Sequence, residues 1–167
     1  MEVITSDSEN RFAELLPQVE KDAANWLGAH INLALLHEQL LGREGLSQQF
    51  LDKVVQVSLQ MAGYLMEWGV KDCEGQLFVF GDSDLFCLLK KDPRLTDAVM
   101  VRLQQEFKKN DLLHLLHFYE MKDRLAAIVS LSSQKRETAD AYRLKHHAIA
   151  LVDGATEWNE ADPETTR

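Results

Sequence analysis

Three things are scarce in this sequence: cysteine, positive charge and long apolar runs. The 167 residues contain two cysteines, Cys73 and Cys87. That is too few for a disulfide scaffold and fits no zinc-ligand spacing, so a reducing, cytoplasmic setting is expected. Lys and Arg number 18 against 27 Asp and Glu, a net charge of −9. Such a surface repels phosphate, which argues against generic nucleic-acid binding and against anionic membranes. No stretch approaches the roughly 20 apolar residues of a membrane span. The opening MEVITSDSEN is polar and acidic and lacks the basic-then-apolar order of a signal peptide. Walker-type loops, Rossmann fingerprints, internal repeats and low-complexity segments are also missing.

What is present is an ordinary globular composition, 46% hydrophobic and 27% charged. A chain of this size buries roughly two-thirds of its surface and folds without staples. The expected organisation is a flexible stretch over 1–10, one domain over 11–153, and an acidic tail or linker over 154–167. Phe12, Leu15, Leu16, Val19, Ala23 and Trp26 recur at steps of three and four, predicting a helix over 11–27 that kinks or starts at Pro17. Gly28 then marks a break before a short apolar strand, Ala29 to Leu36, with continuation of the helix as the alternative. Ser47 is placed to cap a long helix over 47–68. Its stripe is Phe50, Leu51, Val54, Val55, Met61, Ala62, Leu65 and Met66, and Gly69 sits where a C′ glycine would end it. QLFVF and LFCLL flank Gly81-Asp82-Ser83-Asp84, a β-hairpin pattern. Asp92-Pro93 opens a helix with Leu95, Val99, Leu103 and Phe107 inside, Leu112 to Tyr119 reads as a strand, and helices follow from Asp123 and over 137–152. The core order βαββαβ predicts an α+β, ferredoxin-like sandwich with an antiparallel sheet, helices on one face, and extra helices at both ends.

Four segments, HINLALL, GQLFVFGDSDLFCLL, DPRLTDAVMVRLQQEF and HFYEM, resemble degenerate GGDEF-like domains of bacterial signalling proteins, over about residues 29–131. The resemblance implies a nucleotide-cyclase palm, with Gly81, Asp82, Ser83, Asp84 and Leu85 as a worn Gly-Gly-Asp/Glu-Glu-Phe signature. Active members join two GTP molecules with two Mg²⁺ ions held by carboxylates from the first strand and the hairpin. Here the first-strand place falls on Asn32, with Ala34 two residues on, and the third signature place on Ser83. Neither supplies negative charge. Asp82 replaces the second glycine, which sets a carboxylate against phosphate. The basic residue after the first strand has its nearest counterpart in His37. The Arg-x-x-Asp of an inhibitory product site would fall around Lys71 to Gly75, which lacks arginine. The implied protein is not an enzyme, binds no cofactor or metal, and works through protein contacts; a weakly bound nucleotide or cyclic dinucleotide is the alternative.

Asp82 and Asp84 share one hairpin tip and could bind a cation, although turn chemistry alone accounts for them. His114 and His117, three apart, point to opposite faces on the expected strand and could not share an ion there, whereas on a helix they could. His30 and His37 bound the first strand, and Cys87 alternates with apolar residues as a core thiol would. No nucleophile–base constellation can be assembled. The terminal helices are the expected contact surfaces. The first, through Phe12, Leu15, Leu16, Val19 and Trp26, packs either on its own domain or on a second copy. The last carries Tyr142, Ile149 and Val152.

Overall fold

The structure of the chain, a computed structural model, describes residues 1–156 apart from 34, 37–39, 41–44 and 46, with side chains described as far as residue 144. The expectations at positions 34, 37, 42 and 157–167, and those for the side chains at 149 and 152, lie outside the described residues. The elements are β1 (Glu2–Ile4), α1 (Ser8–Lys21), β2 (Trp26–Ile31), α2 (Gln48–Val70), β3 (Gly75–Val79), β4 (Leu85–Lys90), α3 (Thr96–Lys109), β5 (Leu116–Glu120) and α4 (Met121–Thr156). They form an α+β domain with a mixed five-stranded sheet in the order β1-β3-β4-β2-β5. The pairs β2–β4, β2–β5 and β3–β4 are antiparallel. This inner arrangement is compatible with a ferredoxin-like fold.

Three expectations are corrected by the sheet. The opening residues are not loose: Glu2–Ile4 pairs in parallel with Gln76–Phe78, anchored by Ile4 in the core. That added strand makes the sheet mixed rather than antiparallel. Helices cover both faces rather than one, and the sequence of β4 is the reason. Leu85, Cys87 and Leu89 turn to a core shared with Val55, Met66, Val99 and Phe107 of α2 and α3. Phe86 and Leu88 turn to Phe12, Leu16, Met121 and Ile128 of α1 and α4. A strand apolar from Leu85 through Leu89 needs both of its faces covered.

Local chemistry explains the shifted boundaries. The first helix ends at Lys21, where Asn25 Nδ2 donates to Asp22 Oδ1 at 2.7 Å around a short 3₁₀ turn. Pro17 lies inside that helix and ends nothing. The strand therefore begins at Trp26, three residues before the expected start, and Gly28 is inside it under the Phe86 ring rather than at a break. The strand ends at Ile31, and Leu33, Leu35 and Leu36 are helical, as favoured by Leu-rich sequence. Ser47 caps α2 as expected, its Oγ accepting from the Phe50 amide at 3.1 Å. Gly69 does not end α2. It lets α3 approach: a Cβ there would lie 2.3 Å from Leu103 Cδ2. Asp92 organises a turn instead of capping directly: its Oδ1 accepts from Arg94 N and its carbonyl from Thr96 N, and α3 starts at Thr96. Strand β5 starts at Leu116 because Leu113–Leu115 forms a 3₁₀ turn. The two expected C-terminal helices are one helix of 36 residues. Among the described residues, no helix is long and apolar enough to cross a membrane.

Candidate functional site

The β3–β4 hairpin closes through Phe80 N–H donating to Asp84 O and Ser83 N–H donating to Phe80 O, each at 2.9 Å. Ser83 takes a left-handed backbone, φ 74°. Asp82 Oδ1 accepts from Asp84 N at 3.1 Å, an Asx-type turn bond that stiffens the tip. The turn reading of these residues therefore holds, but it is incomplete. Asp82 is exposed whereas Asp84 is buried, pointing back beneath the tip.

Three other elements converge on that hairpin. From β2, His30 Nε2 lies 3.3 Å from Asp84 Oδ2, and the Leu33 amide just beyond the strand donates to Asp84 Oδ1 at 2.9 Å. From α4, Lys135 Nζ donates to Asp82 Oδ2 at 2.5 Å and to Asp84 Oδ2 at 2.6 Å, and sits 5.6 Å from the Phe80 ring centre. From α1, the buried Glu9 accepts from the Gly81 amide through Oε1 at 2.9 Å. The ammonium thus bridges two carboxylates whose charges would otherwise repel.

Electrostatics follow from this geometry. Burial pushes the Asp84 carboxyl up, but hydrogen bonds from His30 and Lys135, the Lys135 charge and the Leu33 amide outweigh it and hold the carboxyl below its ordinary range. Burial pushes the Lys135 ammonium down, and the bonds and charges of Asp82 and Asp84 more than reverse it. With Asp84 ionised, its His30 neighbour must present Nε2–H. His117 faces His30 across the β2–β5 register, and its buried Nε2 has no hydrogen-bond partner among the described residues. Burial, then proximity to His30, lowers its pKa. Both cysteines are buried, and burial raises both thiols.

A groove of about 530 Å³ opens beside the tip, between Thr5–Glu9, the hairpin and the α4 residues Lys135, Thr138, Tyr142 and Arg143. Arg143 already faces Asp7 at 3.8 Å and Asp140 at 3.6 Å. Among the described residues, no group of three or more His, Cys, Asp or Glu side chains is arranged to hold a metal.

The sequence-derived site residues are only partly brought together. Gly81, Asp82, Ser83 and Asp84 form the tip, while Leu85 belongs to the core on the α2–α3 side. Asn32 is tied by its backbone amide to Leu115 O, and its neighbours His30 and Leu33 reach the hairpin instead. Phe12, Leu16 and Val19 are buried, with Leu15 and Trp26 half-buried against the same core. The first helix therefore packs on its own domain, which removes its apolar stripe from the expected contact surface. Tyr142 is exposed on the groove wall. Lys135 and Glu9 were not legible as site residues, because no local motif links them to a hairpin 53 and 72 residues away. No family model, curated protein or solved structure matches the chain.

Proposed function

We propose that the chain is a non-catalytic signalling or scaffolding domain, a worn cyclase-like palm that acts through contacts with protein. One observation carries this reading: Lys135 Nζ lies within 2.6 Å of both hairpin carboxylates. A divalent ion at that place would have to displace an ammonium that both acids already neutralise. Ser83 and Asn32 add no charge to replace what Lys135 consumes. The hairpin acids then serve to lock α4 to the sheet, and the palm becomes a rigid platform.

The experiment is an incubation of the full chain with GTP and Mg²⁺ or Mn²⁺, followed by chromatography of the nucleotides. No cyclic dinucleotide is expected. Its formation, abolished by Asp84→Ala, would overturn the reading.

The groove beside the tip favours a second reading, a sensor that binds a nucleotide or cyclic dinucleotide and regulates a partner. It ranks below the first because Asp7, Glu9 and Asp82 line that groove against two cations, Lys135 and Arg143, a poor balance for an anionic ligand. Calorimetric titration with GTP and cyclic di-GMP separates the two; saturable micromolar binding selects the sensor.

A further inference from the structure

We propose that the outward face of α2 is a self-association surface on which two copies of this chain pair as antiparallel helices. The inference is independent of the cyclase-like reading. Helix α2 carries two apolar stripes rather than one. Leu51, Val55, Ala62, Leu65 and Met66 bury it against the sheet. The second stripe faces outward: Phe50 is 51% exposed, Val57 58%, Met61 40%, Tyr64 67% and Trp68 38%, with Val54 half-buried at its edge against the inner core and the Arg102 guanidinium 5.0 Å from the Trp68 ring centre. A helix held by the first stripe alone needs no second one for folding.

The outward residues follow a heptad rhythm. Phe50, Val57 and Tyr64 recur every seven residues, as do Val54, Met61 and Trp68, with alternating steps of four and three between the two series. This is the a/d pattern of a helix that packs on another helix. From Phe50 to Trp68 it runs about 27 Å at 1.5 Å per residue, nearly three heptads.

Flanking charge selects the partner and its direction. The position before each a residue holds Lys53, Gln60 and Glu67, all exposed. A two-fold axis beside Gln60 places Lys53 of each copy opposite Glu67 of the other, with the two Gln60 amides facing. Both ion pairs then form from one sequence, as an isologous interface requires. Within the chain, among the described residues, neither Lys53 nor Glu67 is in an ion pair. A parallel pair would instead set Lys53 near Ser58 and Gln60 near Leu65, with no such match. The stripe therefore complements itself in one orientation.

Sedimentation equilibrium of the full chain tests this. At about 100 μM protein, wild type is expected as a dimer. Val57→Glu with Met61→Glu should leave a folded monomer by thermal melt, since both positions are exposed. Lys53→Glu and Glu67→Lys should each weaken association about ten-fold by replacing two attractions with two repulsions, and combining them should restore it. A monomeric wild type overturns the proposal. So does a dimer indifferent to Val57 and Met61, or one that the combined charge exchange fails to restore.

Discussion

Replacing Lys135 by Met isolates the consequence of its charge, because the thioether side chain keeps the packing over Phe80 while the ammonium is lost. The side chains of Asp84 and Lys135 are 7% and 11% exposed, and Asp82 is 31% exposed. Removing one partner of a buried ion pair costs about 3–5 kcal/mol. The solvent at Asp82 and the surviving bonds from His30 and Leu33 place this case near the lower end, about 3 kcal/mol. For a chain of this length each kcal/mol moves Tm by roughly 2–4 °C, so calorimetry should find a fall of roughly 6–12 °C. A second effect distinguishes charge from packing. With the ammonium gone, Asp82 and Asp84 face one another and gain affinity for a divalent cation. Mn²⁺ at ten times its Kd would return about 1.4 kcal/mol to the variant. Wild type, whose acids Lys135 occupies, should not be stabilised. A variant Tm within a degree or two of wild type would refute the reasoning, as would equal stabilisation of both proteins by Mn²⁺.

Three further outcomes follow from the same structure. Urea unfolding across pH should show the wild-type advantage over Lys135→Met as a plateau. Asp84 contributes above its unfolded pKa, about 4, and loses that contribution as pH falls through its depressed native value; Lys135 contributes fully below about pH 10 and loses it as pH rises through its elevated one. A steep change in that advantage near pH 6–7 would assign the effect to a histidine instead. Phe12 meets Phe78, Phe80 and Phe86 at ring-centre distances of 5.1, 5.4 and 5.0 Å; Phe12→Ala should cost about 3–5 kcal/mol in chemical denaturation, and a cost below 1 kcal/mol would remove α1 from the core. Gly75 has φ 145° and would set a Cβ 2.0 Å from Leu88 O. Gly75→Ala should therefore destabilise by more than about 2 kcal/mol, whereas an unchanged melt would contradict the described start of β3.

Legibility in the sequence tracked how local each signal was. Ser47 three residues before Phe50, and a Gly-Asp-Ser-Asp turn between two apolar runs, each specify their geometry within a few residues. The α2 cap and the hairpin appear accordingly. Glycine was the poorest guide: Gly28 and Gly69 read as punctuation, yet each is required by a neighbour distant in sequence, Phe86 and Leu103. The stripe of α2 was legible as apolar, but its division into an inward and an outward face was not, because the sheet chooses the face. At the hairpin, composition identified Asp82 and Asp84 and could not identify the cation that joins them.

The sequence by itself determined the α+β class, the hairpin and its acids, and the acidic balance of the surface, since these depend on residue type and short-range periodicity. Tertiary structure decided the rest. It put helices on both faces of the sheet, drew Glu2–Ile4 into an edge strand, buried the apolar stripe of α1 and brought Lys135 to Asp84. Each of those depends on which surfaces meet, and a linear pattern records the demand for a partner without recording which partner supplies it.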